Sequence, residues 1–485
     1  MMIQRPQYRS VRCLGLGVFL GVFWLAAAAP AQEPVDTDSA FVRFCKQDYL
    51  FGDWGGFRNT LKETGVDFEF VYFGAVPSNL EGGLKEGSVY EGALMMLLDL
   101  DSAKLAGYEG GQFHAGAFSI HNGPEFSANY VGDLNKVSLL DFPDNLNLWE
   151  LWYEQKFLDG KVALKLGQLA IDRDFILPEY YNSLAGITFL NQTFFYPTLA
   201  FDVYDQPFFP AGNHGLASTP YGTPGARLRV DPSPCVYFQV GAYSGRPDQS
   251  RGGVSFPLSE DSGALIYAEA TLKLNQGKDA QLPPGNLKLG GYYHTDEFYD
   301  EYEGYFVAVD NYLLSQGQMP LGLYSTARTH PGNYAVYFLA DQILWREAGK
   351  EDAARQGLAG FARLAWAPPD RNLASFGVDG GLVYKGLIPK RDWDTLGLGL
   401  SYLHMSEDLR EAQRDINAIV SSLGAPAPFS KIADYEGVLE VSYKAQLTAW
   451  WTLQTSVQRV FHPGGRVIQD TPNAWAVVVQ TSLRL

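Results

Sequence analysis

The stretch from Asn147 to Ala170 constrains the fold most strongly, because it has the pattern of a long β-hairpin. Two runs of roughly ten residues flank Asp159-Gly160, a dipeptide that readily adopts the positive φ angles of a tight hairpin turn. Successive side chains point to opposite faces of a strand. One face is apolar, with Trp149, Leu151, Tyr153, Phe157, Val162, Leu164 and Leu166. The other face carries Glu150, Trp152, Glu154, Lys156, Lys161 and Lys165. This pattern is typical of a membrane barrel with a water-filled interior, but hairpins of soluble β-sandwiches alternate in the same way.

The first 31 residues have the three parts of a secretory signal peptide. Three arginines before position 13 precede an apolar run from Cys13 to Leu25, and Ala29-Pro30-Ala31 predicts cleavage before Gln32. No later segment has the 18 or so consecutive apolar residues that a transmembrane helix needs. If the exported chain enters a membrane, it must therefore do so as a β-barrel.

The net charge limits the classes of partner that the chain can bind, and the cysteine content limits the disulfides that it can form. The formal net charge of −17 argues against nucleic acid as a partner, because its phosphate backbone binds lysine and arginine. Only Cys45 and Cys235 remain after signal-peptide removal, which excludes a disulfide-rich scaffold. In an oxidising compartment these two cysteines could pair, and the sequence leaves a disulfide and two free thiols equally open.

From Val66 onward the alternation predicts sixteen strands. They lie near 66–74, 89–100, 111–122, 147–157, 161–170, 220–230, 234–245, 262–274, 287–297, 334–347, 358–367, 375–388, 393–405, 435–445, 450–460 and 474–485. Every second connection is compact, so the compact connections share one end of the strands. The long connections 124–146, 171–219, 298–333 and 406–434 all lie at the opposite end. An even strand count with loops sorted by length is typical of outer-membrane barrels. The predicted fold is therefore all-β: a transmembrane antiparallel barrel spanning residues 66–485.

Two helices and one long loop are predicted outside the strands. A short periplasmic helix in the N-terminal segment 32–65 runs from about Gly55 to Thr64, with Asp53 as its cap. An extracellular helix covers 406–423 and buries a face that ends at Leu423. The longest connection, 171–219, is rich in aromatic and acidic residues, so we expect it to be ordered and to fold into the barrel interior.

Seven motifs distributed along the chain form a recognisable set. They are Tyr49-Leu-Phe-Gly-Asp-Trp-Gly-Gly-Phe-Arg58, Leu151-Trp-Tyr-Glu-Gln155, Leu166-Gly-Gln-Leu169, Ala340-Asp-Gln-Ile-Leu-Trp-Arg346, Trp366-Ala-Pro-Pro-Asp-Arg-Asn372, Gly386-Leu-Ile-Pro389 and Phe461-His-Pro-Gly-Gly465. Together they resemble the carbohydrate-selective, OprB-type porins of Gram-negative outer membranes. The resemblance implies a sixteen-stranded barrel, a constricting loop after the fifth strand and passive uptake of sugars. One departure is Leu485, which stands where such barrels commonly end in an aromatic residue that the assembly machinery reads.

Under this resemblance, interior side chains are the candidates for contact with a sugar, since charged pairs can bond hydroxyl groups and aromatic faces can pack on C–H surfaces. The candidates are Glu69, Glu150, Trp152, Glu154, Lys165, Asp174, Arg227, Arg229, Arg363 and Glu440, and Glu269 and Lys288 share their face. The expected partners are small sugars, outer-membrane lipid and the barrel-assembly machinery, with a homo-oligomer left open. Neither a cofactor nor a metal is expected.

Two other classes of function remain as alternatives. An outer-membrane barrel enzyme, such as a lipid or glycan hydrolase, would need a nucleophile or a metal site. The sequence contains neither G-x-S-x-G nor H-E-x-x-H, so no catalytic residue is predicted, although its many carboxylates leave a glycosidase pair open. An adhesin or a structural barrel would leave the charged interior unexplained.

Overall fold

The computed structural model describes residues 39–179, 188–195, 219–246, 253–256, 258, 262–276, 280, 282–347 and 356–485. The predicted signal peptide and most of the predicted interior loop, residues 180–187 and 196–218, lie outside the described residues. Sixteen long strands form one sheet: β1 (Val66–Glu81), β2 (Glu91–Asp101), β3 (Gly111–Asn122), β4 (Asn145–Phe157), β5 (Val162–Leu169), β6 (Thr223–Ser233), β7 (Val236–Ser244), β8 (Ala264–Leu274), β9 (Gly285–Tyr299), β10 (Thr329–Arg346), β11 (Gly357–Trp366), β12 (Ala374–Lys385), β13 (Thr395–Met405), β14 (Tyr435–Gln446), β15 (Trp451–Phe461) and β16 (Ala474–Arg484).

The sheet closes on itself. Each strand pairs antiparallel with its sequence neighbours, and β1 pairs with β16, with Val71 opposite Arg484. Closure removes the unpaired edges that an open sheet would expose. The predicted sixteen-stranded antiparallel barrel is therefore confirmed. In a closed ring of sixteen, strands eight places apart lie on opposite walls.

Connections sort by length, as predicted. Residues 102–110, 158–161 and 234–235 join strands at one end of the barrel, which we call the short-turn end. The connections 123–144, 170–222, 300–328 and 406–434 lie at the other end, which we call the long-loop end. At the tight turn between β4 and β5, Asp159 and Gly160 have positive φ angles of 55° and 81°, as that hairpin requires.

On β5 the two faces differ as the alternation predicts. Leu166 is 49% exposed on the outer face, whereas the neighbouring Lys165 is buried. Trp149 was predicted to share the outer face with Leu151, and this prediction is wrong. The β3–β4 ladder steps from Glu150 to Leu148 and skips Trp149, which is buried. A β-bulge of this kind inserts one residue and shifts the alternation from that point.

Five α-helices accompany the strands in the described part of the chain. They are α1 (Ala40–Lys46), α2 (Phe57–Thr64), α3 (Ser102–Ala106), α4 (Glu301–Ser315) and α5 (Glu407–Ser422). The α2 helix ends at Gly65 as predicted, but its N-cap is Gly56 and no side chain caps it, so the Asp53 prediction is wrong. The α5 helix matches its prediction, except that Leu423 lies beyond the last turn and is exposed. Helices α1, α3 and α4 were not predicted.

None of the helices in the described residues is long and apolar enough to cross a membrane. Cys45 and Cys235 are both free thiols. A buried apolar cluster inside the long-loop half joins the start of the β5–β6 connection to α4 and α5, and includes Phe175, Ile176, Tyr267, Phe306, Leu409 and Ile416.

Candidate functional site

The β5–β6 connection enters the barrel and meets the wall through Asp174. Its carboxylate accepts hydrogen bonds from Lys165 Nζ at 2.8 and 3.1 Å and from Arg227 Nη2 at 3.2 Å. Arg227 also donates to Glu154 at 2.7 Å. Asp174 belongs to the loop rather than to a strand. Burial alone would raise the pKa of its carboxyl, but the charges of Lys165 and Arg227 hold that pKa below its usual range.

Two more contacts fix residues 170–179, the start of this connection, to the neighbouring strands. The backbone N–H of Ile176 donates to Glu269 Oε2 on β8 at 3.0 Å. The side chain of Glu179 accepts a hydrogen bond from Tyr237 on β7 at 3.0 Å and lies 3.3 Å from Lys288 Nζ on β9. Residues 170–179 are therefore attached to the wall that runs from β5 to β9.

A second described segment of this connection, 188–195, is attached to another part of the wall. Glu440 on β14 accepts hydrogen bonds from the backbone N–H groups of Leu190 at 2.8 Å and Asn191 at 3.0 Å. Arg363 on β11 donates to the carbonyl oxygen of Thr193 at 2.7 Å. Since β6 and β14 are eight places apart in the ring, the two segments contact opposite walls.

Aromatic packing reinforces the second attachment. Phe189 and Phe194 lie against glycines on the inner face of β12 and β13. A Cβ atom at Gly397 would come within 2.8 Å of the Phe189 ring, and one at Gly399 within 2.7 Å of the Phe194 ring. The glycines therefore leave the space that these two rings fill. Gly397 and Gly399 were not predicted as part of the site, although they occupy alternate positions of one strand.

Trp152 was predicted to offer its ring to a sugar, and the structure packs that ring among wall side chains. The His114 ring lies parallel to it, with centroids 4.8 Å apart and planes 19° apart. Lys165 Nζ lies 4.5 Å from its centroid. His114 also bonds Asp99 at 2.8 Å through Nδ1 and was not predicted as part of this group. Its position on the inner face of β3 is the signal that could have identified it.

The predicted residues divide into three groups. One wall brings together Glu150, Trp152, Glu154, Lys165, Asp174 and Arg227, with Glu269 and Lys288 beside them. Glu440 on β14 lies opposite Arg227 on β6, and Arg363 lies on β11, three places from Glu440 in the ring. Glu69 and Arg229 are separate, since Glu69 pairs with Arg484 at 2.8 Å and Arg229 with Asp231 at 2.8 Å, both toward the short-turn end.

A cavity of about 800 Å³ opens between the first wall and the short-turn end. Its charged lining is Glu154, Lys156, Asp159, Lys161, Arg227, Arg229, Asp231 and Lys273. The volume falls in the range of small-molecule sites, which is roughly 300–1,000 Å³. Cations outnumber carboxylates in this lining, although the whole chain is acidic.

Comparison with known proteins agrees with the barrel fold. Residues 85–484 match the model of the carbohydrate-selective porin, OprB family. The chain is 27% identical to Porin B of Pseudomonas aeruginosa over 98% of each chain, and 22% identical to the putative porin QuiX of Acinetobacter baylyi over 91% of this chain and 94% of that protein. The high-pH structure of Pseudomonas putida OprB superposes with a TM-score of 0.73 at 22% identity, covering 91% of this chain and 99% of that one. Because the family model matches most of its length, the chain belongs to the carbohydrate-selective porin, OprB family.

Proposed function

We propose that small sugars diffuse passively through this barrel into the periplasm, and that the β5–β6 connection forms its narrowest section. Membership of the family makes the chain an outer-membrane sugar channel. The observation that supports the constriction is the attachment of residues 170–179 and 188–195 to opposite walls. A loop held at both walls divides the cross-section through which a solute passes.

The charges beside the loop suit a neutral, hydroxylated solute. Lys165, Asp174, Arg227 and Glu154 are paired with one another, so no single charge dominates the pathway. Paired charges keep unused donor and acceptor positions that can bond hydroxyl groups, while a lone charge would retain counter-ions. We infer that these four residues line the selective section.

The cavity beyond this network would receive the solute on its way out. Arg229 lies 3.8 Å from the centroid of the Tyr237 ring and bonds Asp231, so its guanidinium is held at the cavity wall. Short turns close strands at this end, as they do on the periplasmic side of outer-membrane barrels. We therefore assign the short-turn end, with the N-terminal segment 32–65, to the periplasm of a Gram-negative bacterium.

The family and the fold point to a channel rather than to the hydrolase considered from the sequence. Solute flux tests this directly. Purified protein in liposomes should allow swelling in a monosaccharide or a disaccharide faster than in a neutral polyol of similar size. Protein that is inserted, as judged by single-channel ion conductance, but that passes sugar and polyol equally would refute the selectivity proposed here.

A further inference from the structure

The segment from Tyr49 to Arg58, which we call the strap, is bonded to both strands that close the barrel. The backbone N–H of Leu50 donates to the carbonyl oxygen of Arg484 on β16 at 2.7 Å. Arg58 donates from Nη1 to the carbonyl oxygen of Leu485 at 2.8 Å and from Nη2 to that of Phe68 on β1 at 3.2 Å. Arg58 is 3% exposed, which is unusual for a cation and shows how closely it is enclosed.

The strap runs along the outer side of the barrel rim. Phe68 alternates with the inward Glu69 and stands opposite Leu98, so its ring belongs to the outer face of β1. Trp54 stacks on this ring, with centroids 5.2 Å apart and planes 28° apart. The Arg58 guanidinium lies 4.8 Å from the centroid of the same ring. The strap is therefore continuous with the apolar outer surface of the strands.

Three aromatic side chains of the strap are largely exposed. Phe51 is 63% exposed, Trp54 is 46% exposed and Phe57 is 55% exposed. Clustered aromatic side chains are costly to leave in water and mark an interaction surface. Tryptophan and other aromatic side chains are enriched where a membrane meets water, since their rings suit the boundary between acyl chains and headgroups.

We propose that the strap is an interfacial membrane segment, with Phe51, Trp54 and Phe57 placed among the phospholipid headgroups at the short-turn end. The inference rests on the membrane barrel of the proposed function. Its support is geometric: the strap adjoins the outer face at Phe68, and Arg58 fixes it there. The Leu50 N–H bonds the β16 end, and the N–H groups of Gly52, Gly56 and Phe57 bond carbonyl oxygens within the strap, so these backbone groups do not oppose entry of the aromatic side chains into the interface.

Fluorescent labels at single cysteines test this placement in the full chain. The background carries Cys45→Ser and Cys235→Ser, because both thiols are free. An environment-sensitive label is attached at Phe57→Cys or, as a second strap position, at Phe51→Cys. Leu400→Cys, at a residue that is 61% exposed on β13, is the control for the lipid-facing belt. Glu63→Cys, on another face of α2, is the control for water.

Each folded variant is placed in phosphatidylcholine–phosphatidylethanolamine vesicles that contain lipids with a nitroxide either near the headgroup or deep in the acyl chain. We expect shallow nitroxides to quench positions 51 and 57 most, deep nitroxides to quench position 400 most, and position 63 to be quenched least. A quenched position 400 with unquenched positions 51 and 57 overturns the strap inference alone.

Two other outcomes are also decisive. An unquenched position 400 would show that the barrel itself is not inserted, which would remove the basis of the proposed function. In the other outcome, the label at position 57 emits at shorter wavelength without being quenched by nitroxide lipids, and this shift disappears when the protein is diluted in lipid. Such a result would show that a second copy of the chain covers the strap. That result also contradicts the inference.

Discussion

Arg363 on β11 donates a 2.7 Å hydrogen bond to the carbonyl oxygen of Thr193, although 170 residues separate the two in sequence. The same guanidinium pairs with Asp379 on β12 at 2.7 Å. Its charge is therefore satisfied by the wall, while Nη2 also donates to the loop backbone. Because wall side chains hold the loop, substitutions in the wall should move the loop without unfolding the barrel.

Glu440→Gln tests this separation of loop from barrel. The carboxylate accepts two backbone N–H groups, and an amide would present its NH2 group to one of them. Losing a hydrogen bond to a charged group costs about 1.5–3 kcal/mol. We expect the variant to insert normally, with higher mean ion conductance and more open-channel noise in planar bilayers. Glu69→Gln is the matched control, because Glu69 pairs with Arg484 away from the loop, and equal noise in both variants would contradict the prediction.

Leu166→Lys should impair assembly, because its side chain is on the outer face, where a lysine at mid-membrane costs about 2–4 kcal/mol. The alternation alone places Lys165 at a water-filled wall, where Lys165→Leu would be a mild change. The structure alters that expectation, since Lys165 is buried and bonded to Asp174. We now expect Lys165→Leu to yield a folded barrel with a loosened loop. Heat-modifiable mobility on gels measures folded yield, and equal yields for both variants would mean that the inside–outside register is wrong.

Asp133, in the β3–β4 connection, gives a pH-dependent prediction. Burial raises the pKa of its carboxyl from 3.8 to about 7, the Ser127 hydroxyl opposes this rise, and the charge of Asp141 adds to it. The folded loop therefore binds more protons than the unfolded loop between about pH 4 and pH 7. Its stability is greatest at the acid end of this window and falls as the pH rises through about 7.

Hydrogen exchange of residues 123–144 checks this sign. The ratio of exchange in Asp133→Asn to that in the native chain is compared at pH 5 and pH 8, so that the intrinsic pH dependence of exchange cancels. We expect the ratio to fall on going to pH 8, because only the native loop carries the buried ionised carboxyl there. Asp144→Asn, at an exposed residue of the same loop, should give the same ratio at both pH values. A ratio for Asp133→Asn that does not change would contradict the prediction.

The strands were predictable from the sequence because their signal is local. Alternation of side chains depends only on neighbouring residues, and it located all sixteen strands in the described structure to within a few residues in most cases. Trp149 was misplaced because a bulge depends on the partner strand, here at Gly116 and Ala117. The burial of Lys165 was missed for a similar reason, since its partner Asp174 comes from the loop and is shared with Arg227 on the next strand.

The candidate site could be predicted from the sequence only in part. The length and aromatic content of 171–219 predicted an interior loop, but not the positions at which it attaches. Those positions depend on contacts between distant residues, such as Asn191 with Glu440 and Phe194 with Gly399. A single sequence carries no signal for pairs of this kind.

Replacing residues 171–219 by a few Gly/Ser residues tests the constriction itself. The strand ladders, including β1–β16 closure, do not include this connection, so the variant should still insert. Ion conductance should rise, because the narrowest section would widen. Discrimination between a sugar and a similarly sized polyol in liposome swelling should fall, because Asp174 would no longer complete the charged network beside Lys165 and Arg227.

A matched variant separates width from chemistry. Arg229→Gln removes a cation from the cavity lining while leaving the loop attachments in place, since Arg229 bonds Asp231 rather than the loop. It should change solute preference with little effect on ion conductance. If the shortened protein inserts but keeps native conductance and native solute preference, residues 171–219 do not restrict the pore. The selective section would then have to be sought at the cavity near the short-turn end, where Arg229 lies.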